Sequence, residues 1–519
     1  MPTLSIWSLA ALVMGTVSLK PEQKSVADTP TGNVNAATNR YIIEVEHESI
    51  PYMARLFAAP SSRNSTYYRQ FDCGDVFHGL VVETEIDNVD TLSKFRGVAN
   101  VWPMKTVPMT SAIQRVKAAS EPKYHNYSMH QWTGVDQLHA QGIRGKGATI
   151  AIIDTGVDYT HEAVRRPLVD ELAPCAKHIY SLAGVMAQAA KLLEVMILLV
   201  GVAPEAQVLS FKVFADNPLD TDEDVLIQAF CDAYGAGADI ITASIGRPDG
   251  FADDPWALIA SRIADKGVVV TISAGNEGNT GPFYSSSGAN GHNVVSVAAI
   301  NVTGNPNIST SDPNAAPIPA LFTSWGPTNE LLLKPDIGAP GFEIVSTVPG
   351  NSYESMSGTS MAAPYIAGVA ALYISKHGGR ELHGPGFAKM LANRIVSSGI
   401  SIGWAAGDVD SRFRAPPFQV GTGLVNALKV INHVTQLSFE PFSLSDLVQL
   451  RPKWSVDISN SGNQTVAYSF ELEPQAGVEI LDPHYGIKTA YQLEPIQIVP
   501  PVSLPEDIIL APGETRQVE

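Results

Sequence analysis

Ser355-Met356-Ser357-Gly358-Thr359-Ser360-Met361-Ala362-Ala363-Pro364, continuing as Tyr365-Ile366-Ala367-Gly368-Val369-Ala370-Ala371-Leu372, is a turn of small residues that runs into an apolar segment. The apolar spacing is that of a helix rather than a strand. Ser360 therefore stands at the mouth of a helix, where free backbone N–H groups and the positive end of the dipole favour an anion. Two readings fit a serine there. It is a common type of helix cap, and it is also a nucleophile whose developing oxyanion would meet its own backbone N–H. The serine alone does not decide between them.

Upstream, from about Gln131, apolar strands alternate with amphipathic helices. Ala148–Ile153, Gln207–Phe214, Asp239–Ile245, Val268–Ala274 and Asn293–Ile300 read as strands; Asp224–Ala236 and Pro255–Asp265 read as helices. Such alternation predicts an α/β domain, a doubly wound parallel sheet covered on both faces in three layers. Active sites of such sheets gather at the carboxyl ends of the strands. Asp154, in Asp154-Thr155-Gly156-Val157-Asp158, ends the first strand, where it either closes an Asx-turn or orients a histidine. Asn276, in Ser273-Ala274-Gly275-Asn276-Glu277-Gly278, follows another, where it either fills a left-handed turn position or donates its amide to an oxyanion.

Together the three segments resemble the signatures of the subtilisin family of serine proteases, in the family's order. Gly201-Val202-Ala203-Pro204, Ser244-Ile245-Gly246, Phe322–Pro327 and Lys334–Gly341 add to the resemblance. It implies a secreted serine endopeptidase made as a zymogen, acting on polypeptide substrates. Ser360 would be the nucleophile, Asp154 the carboxylate that orients an imidazole, and Asn276 the oxyanion donor. Ser244-Ile245-Gly246 would be the strand that pairs with an extended substrate. No cofactor is certain from the sequence. Relatives often bind Ca²⁺, but no ligand loop here is clear enough to name residues.

One signature is missing. The family's His-Gly-Thr-His aligns with His178-Ile179-Tyr180-Ser181, which places Ser181 where the general base belongs. A serine cannot take up a proton near neutral pH. His178 matches the signature's first histidine, and His161 has no catalytic counterpart. Lys191–Val200 replaces a normally more polar helix end, and reads as an altered buried helix or as sequence wrongly carried into the chain. The resemblance thus leaves two functions open: an active endopeptidase, or a homologue that binds peptides or its own pro-segment without turnover.

The remainder bounds these readings. At 519 residues the chain should hold more than one domain, and a net charge of −18 without a basic stripe argues against nucleic acid as a partner. Residues 1–19 read as a secretory signal peptide rather than a membrane span. Sequons at Asn64, Asn126, Asn301, Asn307 and Asn463 fit a secreted glycoprotein. Three cysteines, Cys73, Cys175 and Cys231, form no disulfide framework by number, and an odd count leaves one unpaired. Residues 40–107 read as an α+β, inhibitor-like pro-segment, and the stretch through Tyr127 as a linker holding the processing site. The peptidase domain is placed at 131–432, and a partial fibronectin-III-like β-sandwich with open edges at 436–519.

Overall fold

The computed structural model describes residues 39–58, 65–109, 114–117, 129–158, 201–215, 219–303, 317–350, 352–442, 451–484 and 486–519. The expectations for residues 1–19 and 159–200, including His161, His178, Ser181 and Lys191–Val200, lie outside these, as do Asn64, Asn126, Asn307 and Cys175. The chain divides into two compact units, one of residues 11–106 with 222–224, the other holding the remainder.

In the smaller unit, β1 (Arg40–Val45), β2 (Ser65–Asp72), β3 (His78–Thr84) and β4 (Val98–Pro103) form one antiparallel sheet in the order β2-β3-β1-β4. Helix α1 (Ile50–Ala58) sets Ile50, Met53 and Phe57 at helical spacing, and these pack with Ile43, Val45, Leu80 and Val82. The short α2 (Val89–Leu92) is held by a reciprocal capping box between Asn88 and Thr91, and adds Leu92 to the core.

In the larger unit, β5 (Gln114–Lys117) comes from the stretch that sequence reading left as a linker. Next come α3 (Met129–Thr133), α4 (Val135–Ala140), β6 (Thr149–Asp154), β7 (Gln207–Lys212), α5 (Glu223–Gly235), β8 (Ile240–Ala243), α6 (Pro255–Asp265), β9 (Val269–Ser273), β10 (Val295–Asn301), β11 (Ile318–Pro319) and β12 (Ile337–Pro340). A seven-stranded sheet runs β11-β10-β9-β8-β6-β7, with β12 also beside β10, and every pairing is parallel except that of β11. The chain passes from β6 outward to β7 and returns to the other side of β6 as β8. That reversal makes a topological switch point at the carboxyl ends of β6 and β8.

Strands β13 (Ile344–Val348) and β14 (Ser352–Ser357) form a hairpin, and β5 pairs with the free edge of β14. Helix α7 (Thr359–His377) follows directly. It packs across β8, β9, β10 and β12, and every residue from Thr359 to Ile374 is buried, which explains why its apolar character runs all round rather than along one stripe. Gly378, at φ +82°, ends the helix by donating its N–H to Ile374 O. Helices α8 (Phe387–Val396) and α9 (Ala427–Asn432) pack beside it.

Beyond them, β15 (Thr435–Ser438), β16 (Val456–Asn460) and β19 (Thr515–Val518) make a small antiparallel sheet, and β17 (Val466–Tyr468) pairs with β18 (Ile508–Leu510). Leu437, Ile458, Tyr468 and Leu510 are buried between them. Two cysteines correct the sequence reading, for Cys73 and Cys231 are each buried and disulfide-bonded. Among the described residues no helix is long and apolar enough to cross a membrane.

Gly368 marks a close approach of another segment to α7. A Cβ there would lie 2.6 Å from Val202 Cβ. Gly→Ala inside a helix ordinarily gains up to about 1 kcal/mol. Here Gly368→Ala is expected to lose roughly 1–3 kcal/mol by overpacking, read from the midpoint of denaturant unfolding. Adding Val202→Ala should recover part of the loss; a stabilised single variant would contradict the packing.

Candidate active site

Asp154 and Ser273 end β6 and β9, and Ser244 follows directly on β8, whose last pairs are Ala243–Ile153 and Ala243–Ile272, so all three stand at the carboxyl edge of the sheet. Asn276 lies three residues beyond Ser273. Ser360 enters from the other direction, as the second residue of α7.

The Asn276 carboxamide is oriented by its neighbour on the helix. Its Oδ1 accepts both the Thr359 N–H and the Thr359 hydroxyl, each at 2.9 Å. A backbone N–H can only donate, so this bond settles which end of the amide is oxygen. Nδ2 then faces away from Thr359, 3.6 Å from where a Cβ on Gly358 would sit. Neither Nδ2 nor the Ser360 N–H has an acceptor among the described residues, and Ser360 Oγ makes no hydrogen bond to one. Two uncommitted donors and an uncommitted hydroxyl at a helix N-terminus are the components of an anion pocket of the oxyanion-hole type.

The loop carrying Asn276 is held by a carboxylate. Glu277 Oε2 accepts the Asn276 N–H at 2.8 Å and the Ser324 hydroxyl at 3.1 Å, and Ser324 Oγ accepts the Glu277 N–H at 3.0 Å. Burial pushes the Glu277 carboxyl above its usual range, and these donors oppose the rise. Gly275, at φ +109°, is required here, since a Cβ would meet Ser324 Oγ at 2.6 Å and Glu277 Oε2 at 2.8 Å.

Ser244 has a role that sequence reading missed. Pro364 lies inside α7 and has no N–H to give the Ser360 carbonyl, its i−4 partner. The Ser244 hydroxyl donates to that carbonyl instead, at 2.9 Å. The end of β8 and the start of α7 are thereby joined through the backbone of Ser360 itself. The signal was present in the sequence as a proline four residues after the serine, but its partner is remote in the chain. The expectation that Ser244-Ile245-Gly246 is itself a strand is corrected, for β8 ends at Ala243 and these residues continue as buried, non-strand backbone.

Asp154 is buried, and its Oδ1 accepts the Thr155 N–H at 2.6 Å. Burial raises its carboxyl from 3.8 to about 7, against the Thr155 hydrogen bonds and the charge of Lys212 on β7. Among the described residues no histidine hydrogen-bonds to Asp154 or Ser360. The buried His130 is engaged elsewhere, with Nδ1 2.9 Å from the Tyr365 hydroxyl, and His139 Nε2 is 2.8 Å from Val202 O. No group of three or more His, Cys, Asp or Glu among the described residues is gathered to hold a metal.

Two outcomes follow from this geometry. Ser244→Ala strands a buried carbonyl and should cost about 1–3 kcal/mol. Pro364→Ala added to it restores an N–H to the same carbonyl, so the pair should cost less than Ser244→Ala alone; additive losses in a double-mutant cycle would refute the substitution of hydroxyl for amide. For Asp154, the folded chain keeps a proton between about pH 4 and 7 that the unfolded chain has released, so stability falls as pH rises through that window. A shift of that size is worth up to roughly 4 kcal/mol. Asp154→Asn should flatten the profile and be the more stable protein at about pH 8; parallel unfolding curves for the two proteins between about pH 4 and 8 would refute it.

Comparison with known proteins places these features. A family model described as the subtilase family matches residues 145–385. Subtilisin of Bacillus pumilus is 32% identical over 250 residues, covering 46% of this chain and 81% of that protein. Subtilisin E of Bacillus subtilis (strain 168) is 31% identical over 268 residues, covering 49% of this chain but only 63% of its own length, and subtilisin J of Geobacillus stearothermophilus is likewise covered to 63%. Among solved structures, fervidolysin from Fervidobacterium pennivorans, a keratinolytic enzyme related to subtilisin, aligns over 93% of this chain and 75% of its own, with a TM-score of 0.56 and 16% identity, a likeness of fold. On the match to the Bacillus pumilus protein over most of its length, this chain belongs to the subtilase family.

Proposed function

We propose that the chain is a serine-type endopeptidase of polypeptides by design, with Ser360 as nucleophile, Asn276 Nδ2 and the Ser360 N–H as oxyanion donors, and Asp154 as the carboxylate that orients a base. The observation that carries this is the Thr359-locked Asn276 amide beside the free Ser360 hydroxyl. Attack by Ser360 Oγ on a peptide carbonyl builds negative charge on its oxygen, and two preset donors meet that charge without reorganising. The Ser360 proton must pass to a base and then to the leaving amine.

The proton relay is the incomplete part, and it favours a second reading: a peptide-binding homologue with little turnover. Ser181 occupies the base's place in the family register. In subtilisin itself, loss of the histidine costs about 2 × 10⁶ in kcat, as much as loss of the whole triad. We infer further that the chain is exported as a glycoprotein, that residues 40–107 act as its intramolecular inhibitor, and that residues 436–519 are part of a fibronectin-III-like domain. The apolar run at residues 1–19, the sequons and the compact antiparallel unit of residues 40–103 support these readings. Among the described sequons, Asn463 is exposed in the turn between β16 and β17.

The test is repair. Ile179→Gly, Tyr180→Thr and Ser181→His together restore the family signature. Peptide hydrolysis should rise by at least about 10³-fold in the repaired chain and be abolished again by Ser360→Ala or cut about 10²–10³-fold by Asn276→Ala, the cost known for removing this donor in subtilisin. No gain on repair would sink the assignment of Asp154, Asn276 and Ser360. Turnover by the unrepaired chain that survives Ser360→Ala would sink it equally.

A further inference from the structure

Away from the active site, the ends of α8 and α9 and the start of β15 surround a small solvent-open cleft of about 20 Å³ lined by Arg394, Ser397, Ser398, Lys429, His433 and Thr435. No carboxylate lines it. Arg394 is 8% exposed and spends three of its five N–H groups on carbonyls: Nε on Val430 O at 3.0 Å, Nη2 on His433 O at 2.7 Å, and Nη1 on Thr435 O at 3.4 Å. The ring of Tyr373 covers it at 5.4 Å. These contacts fix the guanidinium and leave part of its fork uncommitted. They also satisfy the carbonyl end of α9, which accounts for Arg394 as a capping group.

Capping does not account for Lys429. Its ammonium has no carboxylate and no carbonyl partner among the described residues, although its stem is half-buried. Thr435 Oγ1 is 3.1 Å from the Tyr468 hydroxyl, so its own hydrogen is available when the tyrosine donates.

We propose that this cleft binds a small multiply charged oxyanion of the phosphate or sulfate class, held by Lys429, the free edge of Arg394 and the His433 imidazole. Burial draws the Lys429 ammonium and the Arg394 guanidinium below their ordinary values. His433 is lowered first by burial and then by Lys429 and Arg394, the charged groups that face it from its own helix and from α8. Two cationic groups thus share the cleft with an imidazole whose charged form they disfavour, without a counter-charge, and an oxyanion supplies one. It would also tie β15 to the ends of two helices.

The experiment compares melting of the full chain in inorganic phosphate, sulfate and chloride at matched ionic strength, with phosphate binding measured by calorimetry. Phosphate and sulfate should each raise Tm by a few degrees over chloride at saturation. Lys429→Met keeps the half-buried stem, and His433→Asn removes the imidazole; each should weaken phosphate binding by at least about tenfold, the value of one lost contact to the anion. Equal phosphate effects in the parent and both variants would reduce the stabilisation to a general salt effect and overturn the site. Absence of saturable phosphate binding by the parent would overturn it as well. Neither outcome bears on the endopeptidase reading.

Discussion

One helix has to begin, buried, at the carboxyl edge of a parallel sheet, and its first turn must be satisfied by groups from elsewhere. The first N–H groups of α7 have no partners inside the helix, and Pro364 removes the donor that Ser360's carbonyl would otherwise receive. Asn276 answers for Thr359, and Ser244 for Ser360. What is left over is the Ser360 N–H. Together with Asn276 Nδ2 and the Ser360 hydroxyl, it is what the bonds at the helix start leave uncommitted among the described residues, so the anion pocket is a remainder of the fold rather than an addition to it.

The same economy explains why the loops follow particular strands. Asp154, Ser244 and Ser273 gather at one edge because β6, β8 and β9 are parallel and in register up to Ala243. Glycine at 275 lets the chain turn tightly enough for Glu277 to fold back on the Asn276 N–H. Each polar group thus positions the next, so a change at Ser324 or Ser244, neither of them a reacting group, should be felt at Asn276 or Ser360.

Much of this was legible in the sequence, and the failures have physical reasons. Buried parallel strands such as Ile150–Ile153 declare themselves as unbroken apolar runs, because both faces are covered. The Pro255–Asp265 helix matched in both bounds, since Asp254 and Pro255 mark its start. Gln114–Lys117 did not read as a strand, being short and polar; it is a strand because the edge of β14 gives its backbone a partner. Ile337–Pro340 carries a glycine and a proline, and only the ladder with β10 makes it extended. At the site, local turn chemistry left Ser360, Asn276 and Asp154 open between structural and catalytic readings, and only the resemblance of the three segments together singled them out. The Ser244 bond was not legible, because it compensates for Pro364 across more than a hundred residues and leaves no local pattern.

The two halves of the site differ in what they ask of the solvent. The oxyanion half consists of an amide and a backbone N–H, neither of which titrates, so it is complete at any pH. The relay half rests on Asp154, a carboxyl that burial holds near neutrality. Its charge is costly unless something donates to it, and an imidazole is both the donor that would lower that cost and the base that would take the Ser360 proton. The carboxylate and the base are in this sense one requirement rather than two. Where the histidine is absent, the proton stays on Asp154 over more of the pH range and the fold loses a buried charge. The pocket for a carbonyl oxygen remains intact. On the proposed assignment, such a chain would keep its means of holding an extended peptide while losing its means of cutting it, and a protease scaffold would become a binding protein through one position.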